Sequence, residues 1–202
     1  MVVRSVAGLG IVDVPTTSSV GGIKPAYIAW KNVLRRVATD PNYRGCAVDE
    51  SWHRLSGFEA WYLKHYRPGY HLDKDILVSG NRVYGPRTCC YVPADINKAL
   101  PASDATRGDC PQGVTRQPDG SYRARLRIRG LKTSLGCSAT AELAHEVYVV
   151  AKAAYICDLA REHYRLRNIS HTVRNALFRL ARDRSFVHIG TEPQQFESRR
   201  RL

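Results

Sequence analysis

The sequence predicts an α+β protein, because strand patterns and helix patterns both occur and occupy different stretches of the chain. Residues 122–129 read Tyr-Arg-Ala-Arg-Leu-Arg-Ile-Arg, an alternation of apolar and basic residues typical of a strand with one buried face. Residues 26–38 instead repeat apolar side chains at the three- and four-residue spacing of a helix. A hydrophobic content of 44% over 202 residues can fill a packed core, which excludes wholesale disorder.

The first residues are weakly patterned, and two predicted helices follow them. Residues 1–25 are rich in glycine, valine, serine and threonine, so we expect them to be extended or loosely structured. The first helix, 26–38, ends before Pro41, and a second apolar stripe predicts a helix over 51–66. All three tryptophans fall on these inward stripes, so we expect them in the core rather than on a base-stacking platform.

A strand, a turn, a second strand and a helix come next. Residues 70–78 are patterned as a strand, 79–81 as a turn, and 83–92 as a short strand that continues in an extended passage. Pro93 favours the first turn of a helix, which we expect over 94–100.

The C-terminal half begins with a polar stretch that we expect to be a linker. A Pro-Asp-Gly turn separates the first two of three predicted strands, and Thr140 is placed to cap the helix that follows. A further helix is expected over 171–182, before a basic tail. The three strands are predicted at 113–116, 121–129 and 132–136. We predict a first domain over 1–100, a linker over 101–111, a second domain over 112–160, and a helical extension with the basic tail over 161–202.

The charge balance indicates a polyanionic partner. The chain has a formal net charge of +13 and an isoelectric point near 9.8, with positive excess in both halves, as in nucleic-acid-binding proteins. An anionic membrane and acidic proteins are the alternatives. We expect no membrane partner, because the sequence has no long apolar run and its N-terminus lacks the apolar stretch of a signal peptide.

The cysteines predict reduced thiols rather than a metal site. No two are separated by the two residues typical of a zinc knuckle or a redox pair, and adjacent Cys89 and Cys90 would point to opposite faces of a strand. We therefore expect mostly buried, reduced thiols of a cytoplasmic protein, with a zinc site as the less favoured alternative.

The predicted strand over 121–129 is the most informative part of the sequence. Because strand side chains alternate, its four arginines share one face: Arg123, Arg125, Arg127 and Arg129. Guanidinium groups bind phosphate oxygens and guanine edges, so this face is predicted to bind nucleic acid. The alternative is a solvated edge strand that its charge protects from aggregation.

Short motifs after residue 112 follow the order and spacing of a known DNA-binding domain. They are Gly113-Val114, the Tyr-Arg-Ala-Arg-Leu-Arg run, Leu135-Gly136, and the Thr-Ala-Glu-Leu-Ala run from Thr140. This stretch resembles the AP2/ERF-type DNA-binding domain, which is also found in phage homing-endonuclease proteins. The resemblance implies a three-stranded antiparallel sheet that lies in the major groove of double-stranded DNA and is backed by one helix.

The AP2/ERF resemblance also implies which residues contact DNA. Four basic residues fall at or beside the contact positions of the family, namely Arg116, Arg125, Arg127 and Lys132. Arg123 and Arg129 extend the row of arginines on the same strand. The chain departs from the family at Ser134, where the plant proteins have tryptophan, and at Thr115, where they have arginine. Base specificity is therefore not carried over.

The first hundred residues carry a second resemblance, to bacteriophage HNH-type proteins. The matching blocks lie at 29–36, 43–52, 58–62, 72–77, 81, 84–86, 88–93 and 96–97. The resemblance implies a ββα-metal unit in residues 70–100. It makes Asp73 and Asn97 the ligands of one Mg²⁺ or Mn²⁺ ion, with Asp75 as a possible further ligand. The alternative for Asp73 and Asn97 is turn and cap chemistry.

The catalytic positions of that unit match less well. Thr88 falls where many members have an asparagine that orients the base, and Lys74 falls where they have the histidine base. An ordinary lysine is protonated near neutral pH and is a poor proton acceptor, although it can neutralise a phosphate oxygen. His71 lies two residues before Asp73 and is the substitute base that the strand pattern offers. Its alternative is an ordinary surface histidine.

Together these observations predict a phage protein that binds duplex DNA and cleaves it as a nicking or homing-type HNH endonuclease, without a small-molecule cofactor, in the cytoplasm of the host bacterium. The alternative is a catalytically inactive regulator of phage or host genes that keeps the fold. A virion component that coats nucleic acid is a third, less favoured class. The sequence leaves open whether the protein is a monomer or a dimer.

Overall fold

Five α-helices and nine short strands form the part of the chain that the computed structural model describes, which is residues 4–19, 21–100 and 110–184. The strands are grouped in three two-stranded sheets and one three-stranded sheet. The predicted α+β class is confirmed. Of the helices in these ranges, none is both long enough and apolar enough to cross a lipid bilayer.

The N-terminal segment is more ordered than its sequence predicts. Strands β1 (Arg4–Val6) and β2 (Gly10–Val12) pair as an antiparallel hairpin, so the expectation of loose structure is wrong for this part. A Cβ atom at Gly10 would lie 2.3 Å from Leu34 Cδ1 and 2.6 Å from a ring carbon of Trp30. The hairpin is thus held close to helix α1, where only glycine fits.

Helices α1 (Pro25–Thr39) and α2 (Leu55–His65) form the first core with the three tryptophans. The first helix is confirmed, whereas the second begins four residues later than expected, after a short 3₁₀ turn at Glu50–Trp52. The carboxylate of Asp49 accepts a hydrogen bond from the Ser51 amide and starts that turn. All three tryptophans are buried, which confirms their predicted place in the core.

The strand–strand–helix unit is present, but its strands differ from those predicted. Strand β3 (Ala47–Val48) pairs in parallel with β5 (Val83–Tyr84), and β4 (Tyr70–Asp73) pairs antiparallel with β6 (Cys90–Pro93). Helix α3 (Ala94–Ala99) follows β6 directly. The first strand thus ends at Asp73 instead of residue 78, and its partner is the extended passage before the helix.

The C-terminal strands and helices follow the predicted order. Strands β7 (Val114–Arg116), β8 (Tyr122–Ile128) and β9 (Leu131–Ser138) form one antiparallel sheet, with β8 in the centre. Helix α4 (Ala141–Arg165) packs on this sheet and on α5 (His171–Arg182). The predicted cap is confirmed, since the Thr140 hydroxyl accepts a hydrogen bond from the Leu143 amide.

One hydrophobic core contains residues from both halves of the chain. Val92 and Ile96 of the β6–α3 unit belong to the same buried cluster as Ile156 and Leu159 of α4 and Leu177 of α5. The predicted division into domains stays a prediction, and this packing shows that the two halves share apolar contacts. Most of the predicted linker, 101–109, and the basic tail, 185–202, lie outside the described residues.

Candidate nucleic-acid interface and cleft

Strand β8 has arginines on one face and apolar side chains on the other. Ala124 and Leu126 are buried in the core that also contains α4, whereas Arg127 is exposed and Arg123 and Arg125 are half-buried. The alternation predicted for this strand is confirmed along its observed length. Because side chains alternate along a strand, the guanidinium groups of the three arginines lie on the side of the sheet that faces away from the helix.

The neighbouring strand adds a fourth basic side chain to this surface. In the β8–β9 ladder, Lys132 lies opposite Arg127 and Ser134 lies opposite Arg125. Residues that lie directly opposite each other on antiparallel strands share a face, so Lys132 is a neighbour of Arg127. We call the surface formed by Arg123, Arg125, Arg127 and Lys132 the basic face.

Two of the predicted DNA-binding arginines do not belong to the basic face. Arg116 lies opposite Tyr122, so it points to the face that carries the apolar side chains. Arg129 follows the end of β8 with a φ of 48°, and its Nη2 lies 2.6 Å from the Glu162 carboxylate of α4. The expectation that Arg129 continues the row of arginines on β8 is wrong, because the chain turns after Ile128. The predicted DNA contacts of Arg116 and Arg129 stay predictions.

A β-bulge in β9 places a cysteine on the basic face that the sequence alternation did not predict there. The register shifts between Ala124 and Arg125, and Leu135 of β9 is left without a pairing partner on β8. As a result, Cys137 lies opposite Arg123, whose Nε donates a hydrogen bond to the Cys137 Sγ at 3.4 Å. This thiol is exposed, in contrast to the mostly buried cysteines that the sequence predicts.

A cleft with a volume of about 890 Å³ brings together most of the predicted catalytic and metal-binding residues. It runs along β4 and α3, and five of the six predicted residues line it: His71, Asp73, Lys74, Asp75 and Asn97. Arg127 of the basic face lines the same cleft. The basic face and the candidate catalytic residues are therefore continuous.

Asp73 ends strand β4 and is held by the turn that follows it. Its Oδ1 accepts hydrogen bonds from the amides of Asp75, at 2.7 Å, and Ile76, at 2.8 Å. Burial raises the pKa of the Asp73 carboxyl group, and the two amide hydrogen bonds oppose that effect without cancelling it. The turn chemistry that was the alternative for Asp73 is thus present, and it occupies one of the two carboxylate oxygens.

Lys74 is fixed as a hydrogen-bond donor. Its Nζ lies 2.6 Å from Asp75 Oδ1 and 3.0 Å from the Asn81 carbonyl oxygen, and its side chain is only 12% exposed. Both contacts use Lys74 as the donor, and the first pairs its charge with that of Asp75. The same contact engages an oxygen of Asp75, which the sequence offered as a further metal ligand, and Asp75 lies beyond the end of the strand instead of on its face.

His71 and Asn97 are brought into contact across the cleft. Asn97 Nδ2 of α3 lies 3.3 Å from His71 Nδ1 of β4. Strand alternation puts His71 on the same face as Asp73, and the His71 side chain is exposed. This contact links the His71 imidazole to helix α3.

Thr88 has a structural place in the loop before β6. Its hydroxyl donates a hydrogen bond to the Val83 carbonyl oxygen at 2.6 Å, and it is not among the residues that line the cleft. The structure therefore does not bring Thr88 together with His71 or Asp73. The side chain that contacts His71 is Asn97.

The oxygen donors of the cleft fit a largely hydrated magnesium ion. Among residues 4–19, 21–100 and 110–184, no group of three or more histidine, cysteine, aspartate or glutamate side chains is placed to hold a metal. Mg²⁺ commonly binds through one or two carboxylates and keeps several water molecules. Asp73 Oδ2 and the amide oxygen of Asn97 would hold such an ion, and a cation would relieve the cost of burying the Asp73 charge.

Comparisons with protein-family models, with curated proteins and with solved structures find no match to this chain.

Proposed function

We propose that this protein binds duplex DNA through the basic face and hydrolyses a phosphodiester bond in the adjoining cleft with one divalent cation, as an HNH-type endonuclease of a bacteriophage. The observation that carries the proposal is the position of Arg127, which belongs to the basic face and also lines the cleft. A DNA backbone that binds along the basic face would therefore pass close to His71 and Asp73. The cytoplasm of an infected bacterium is the proposed place of action.

The basic face supplies the affinity for DNA in this proposal. A guanidinium group can form two parallel hydrogen bonds to the oxygens of one phosphate, and it can also hydrogen-bond to a guanine edge in the major groove. Phosphate contacts position the protein without sequence preference, whereas base contacts select the sequence. The net charge of +13 adds a long-range attraction that steers DNA to the surface.

The cleft residues divide the chemistry among them. Asp73 and Asn97 would hold the cation, which when bound stabilises the charge that develops on the scissile phosphate and its leaving oxygen. Lys74 forms an ion pair with Asp75, so the carboxylate of Asp75 is already engaged. The carboxylate that would hold the cation is therefore that of Asp73.

His71 is the proposed general base, and the Asn97 amide controls it. When the amide oxygen accepts from Nδ1–H of His71, the Nε2 lone pair is free to take a proton from water. In the opposite orientation, Asn97 Nδ2 donates to Nδ1 and the amide oxygen is free for the cation. An amide oxygen has two lone pairs, so in the first orientation the same Asn97 oxygen would accept from His71 and also hold the cation.

Relaxation of supercoiled plasmid tests the nuclease. We expect nicking by the wild type with Mg²⁺ or Mn²⁺ and none with EDTA. Asp73→Asn keeps an oxygen that can accept from the two turn amides but removes the charge, and His71→Ala removes the base. Each change is expected to lower the rate about a hundredfold or more. The matched control is Asp119→Asn, which alters another turn-capping aspartate, in the β7–β8 turn and not among the residues that line the cleft, and should leave the rate unchanged.

A second candidate function is a DNA-binding regulator that has the same fold and no nuclease activity. The engaged Lys74 and the use of Asp73 Oδ1 in the turn favour it. Gel-shift binding measured on the same preparations separates the two functions. Binding without relaxation by any divalent cation would contradict the endonuclease and leave the regulator. Relaxation that survives both Asp73→Asn and His71→Ala would contradict the assigned site.

A further inference from the structure

One wall of the cleft is built from tyrosines that the proposed hydrolysis does not use. Six of them line it: Tyr43, Tyr62, Tyr66, Tyr70, Tyr84 and Tyr91. Tyr62 and Tyr84 are buried and belong to the first core, so packing accounts for them. Tyr66 differs, because it lies just past the end of α2 and is 37% exposed although its ring is held on two sides.

The Tyr66 ring is fixed in place by its aromatic neighbours. It stacks on Tyr62 with ring centroids 4.6 Å apart and an interplanar angle of 13°. Tyr91 meets it edge to face, with centroids 5.4 Å apart and an angle of 79°. A ring that is stacked on one side and still exposed presents a rigid aromatic surface, which a further flat group can extend.

Cations lie among these rings along the cleft. Arg36 places its guanidinium carbon 5.8 Å from the centre of the Tyr43 ring, and Lys98 and Arg127 line the same cleft. Aromatic surfaces interspersed with cations are the chemistry of grooves that bind unpaired nucleotides, because the rings stack on bases while the cations bind the phosphates. Cations lie within 6.0 Å of the ring centres of three of the cleft tyrosines, Tyr43, Tyr70 and Tyr84.

The size of the cleft also fits a nucleotide rather than a helix. A volume of about 890 Å³ is in the range of roughly 300–1,000 Å³ that is typical of sites for small ligands. A base inside a duplex is covered by its stacking neighbours and cannot reach the Tyr66 ring. A base that has left the stack can, at a cost that is least where it is already unpaired.

We propose that the cleft takes up an unpaired nucleotide of the bound DNA, with its base stacked on Tyr66 and its phosphates on Arg36, Lys98 and Arg127. The inference rests on the proposed function and narrows its substrate class to duplexes with an unpaired nucleotide beside the paired segment, such as bulges, flaps or junctions. The scissile phosphate next to that nucleotide then lies at His71 and Asp73, which line the same cleft.

The test compares two labelled DNAs of equal length, one fully paired and one with a single unpaired 5-iododeoxyuridine in the middle. Fluorescence anisotropy gives the affinity for each, and ultraviolet crosslinking with peptide mapping locates the unpaired base. We expect the wild type to bind the unpaired DNA about tenfold more tightly, as stacking on one aromatic ring allows, and to crosslink at Tyr66.

Three variants make the test specific. Tyr66→Ala is expected to lose the preference and Tyr66→Phe to keep it, because phenylalanine retains the ring. The control is Tyr164→Ala, which removes a tyrosine of α4 that is 38% exposed and is not part of the cleft lining. It should leave the preference intact.

The outcomes separate this inference from the proposed function. Equal binding of both DNAs by the wild type, or a crosslink outside the cleft, would overturn the inference and leave duplex binding standing. Binding of neither DNA at low salt would overturn the proposed function itself. If Tyr66→Ala does not fold, the wild-type preference, the crosslinked position and Tyr66→Phe still decide the question.

Discussion

At the scale of single residues, Asp73 shows how one side chain can serve both the fold and a site. Its Oδ1 ends β4 by accepting two amide hydrogen bonds, while burial raises the pKa of the same carboxyl group. A raised pKa means that the folded state favours the protonated form, so the ionised form costs stability. That cost is full above the folded pKa, shrinks as the pH falls below it, and is gone below the pKa of the unfolded chain.

Asp73→Asn is therefore expected to raise the melting temperature at slightly alkaline pH, because it removes a buried charge and keeps an acceptor for the turn. The gain should shrink as the pH is lowered through the raised pKa, since the wild type then becomes neutral as well. Added Mg²⁺ should raise the melting temperature of the wild type but not of the variant. Thermal unfolding followed by circular dichroism at several pH values provides the measurement.

Asp119→Asn is the control for this stability change. Asp119 also accepts a hydrogen bond in a turn, but it is exposed, and the Ser121 hydrogen bonds lower the pKa of its carboxyl group. Asn at this position should not raise the melting temperature at any pH. An increase there equal to that of Asp73→Asn would contradict burial as the cause.

The residue types of the site were predictable, whereas their partners were not. The motif resemblance selected Asp73 and Asn97, the strand pattern offered His71, and the structure places all three on one cleft. The ion pair of Lys74 with Asp75 depends on where the chain bends after β4, which an alternating pattern does not show. The cleft tyrosines, including Tyr66, were missed because apolar spacing alone does not separate a buried ring from an exposed one.

At the scale of elements, β8 was predicted well until its last residue. Arg129 and Gly130 form the two-residue turn to β9, with φ values of 48° and 85°, and positive φ at both positions is the geometry of a tight hairpin turn. The sequence has an arginine at a turn position where asparagine is usually preferred. The alternating pattern therefore extends to Arg129, although the strand ends at Ile128. The bulge at Leu135 is a second feature that pattern reading misses.

Arg129→Asn is expected to leave DNA affinity within about twofold of the wild type, because Arg129 faces α4 and phosphate contacts belong to the basic face. Stability should change by less than about 1 kcal/mol, since the variant loses an exposed ion pair and gains a residue that tolerates positive φ. Arg125→Asn, by contrast, should weaken binding about tenfold. Anisotropy titrations measure both, and equal losses for the two variants would contradict the assignment of faces.

At the scale of the whole molecule, the shared core links the two halves more closely than the sequence indicates. The division at 101–111 follows from local composition, whereas the contact of Ile96 with the α4–α5 core depends on long-range packing. Local patterns therefore gave most elements and their order but did not reveal how the two halves pack.

Ile96→Ala tests this coupling, because Ile96 is 1% exposed in that core. The change is expected to cost about 2–5 kcal/mol and to lower the stability of both halves together. Tryptophan fluorescence reports on the first half, where all three tryptophans lie, whereas circular dichroism reports on the helices of both halves. Coincident transitions are expected for the wild type and the variant, and separate transitions would show that the halves unfold independently.

The most direct test of the central claim is the salt dependence of duplex binding by three proteins. The wild type is compared with Arg125→Glu/Arg127→Glu and with Lys31→Glu/Lys64→Glu, which makes the same charge change at exposed positions on α1 and α2. Each lost phosphate contact should reduce the slope of log affinity against log salt by about 0.9. The account predicts that the first variant loses binding at moderate salt and shows a shallower slope, while the second stays close to the wild type. Equal losses in both variants, or unchanged binding in the first, would contradict it.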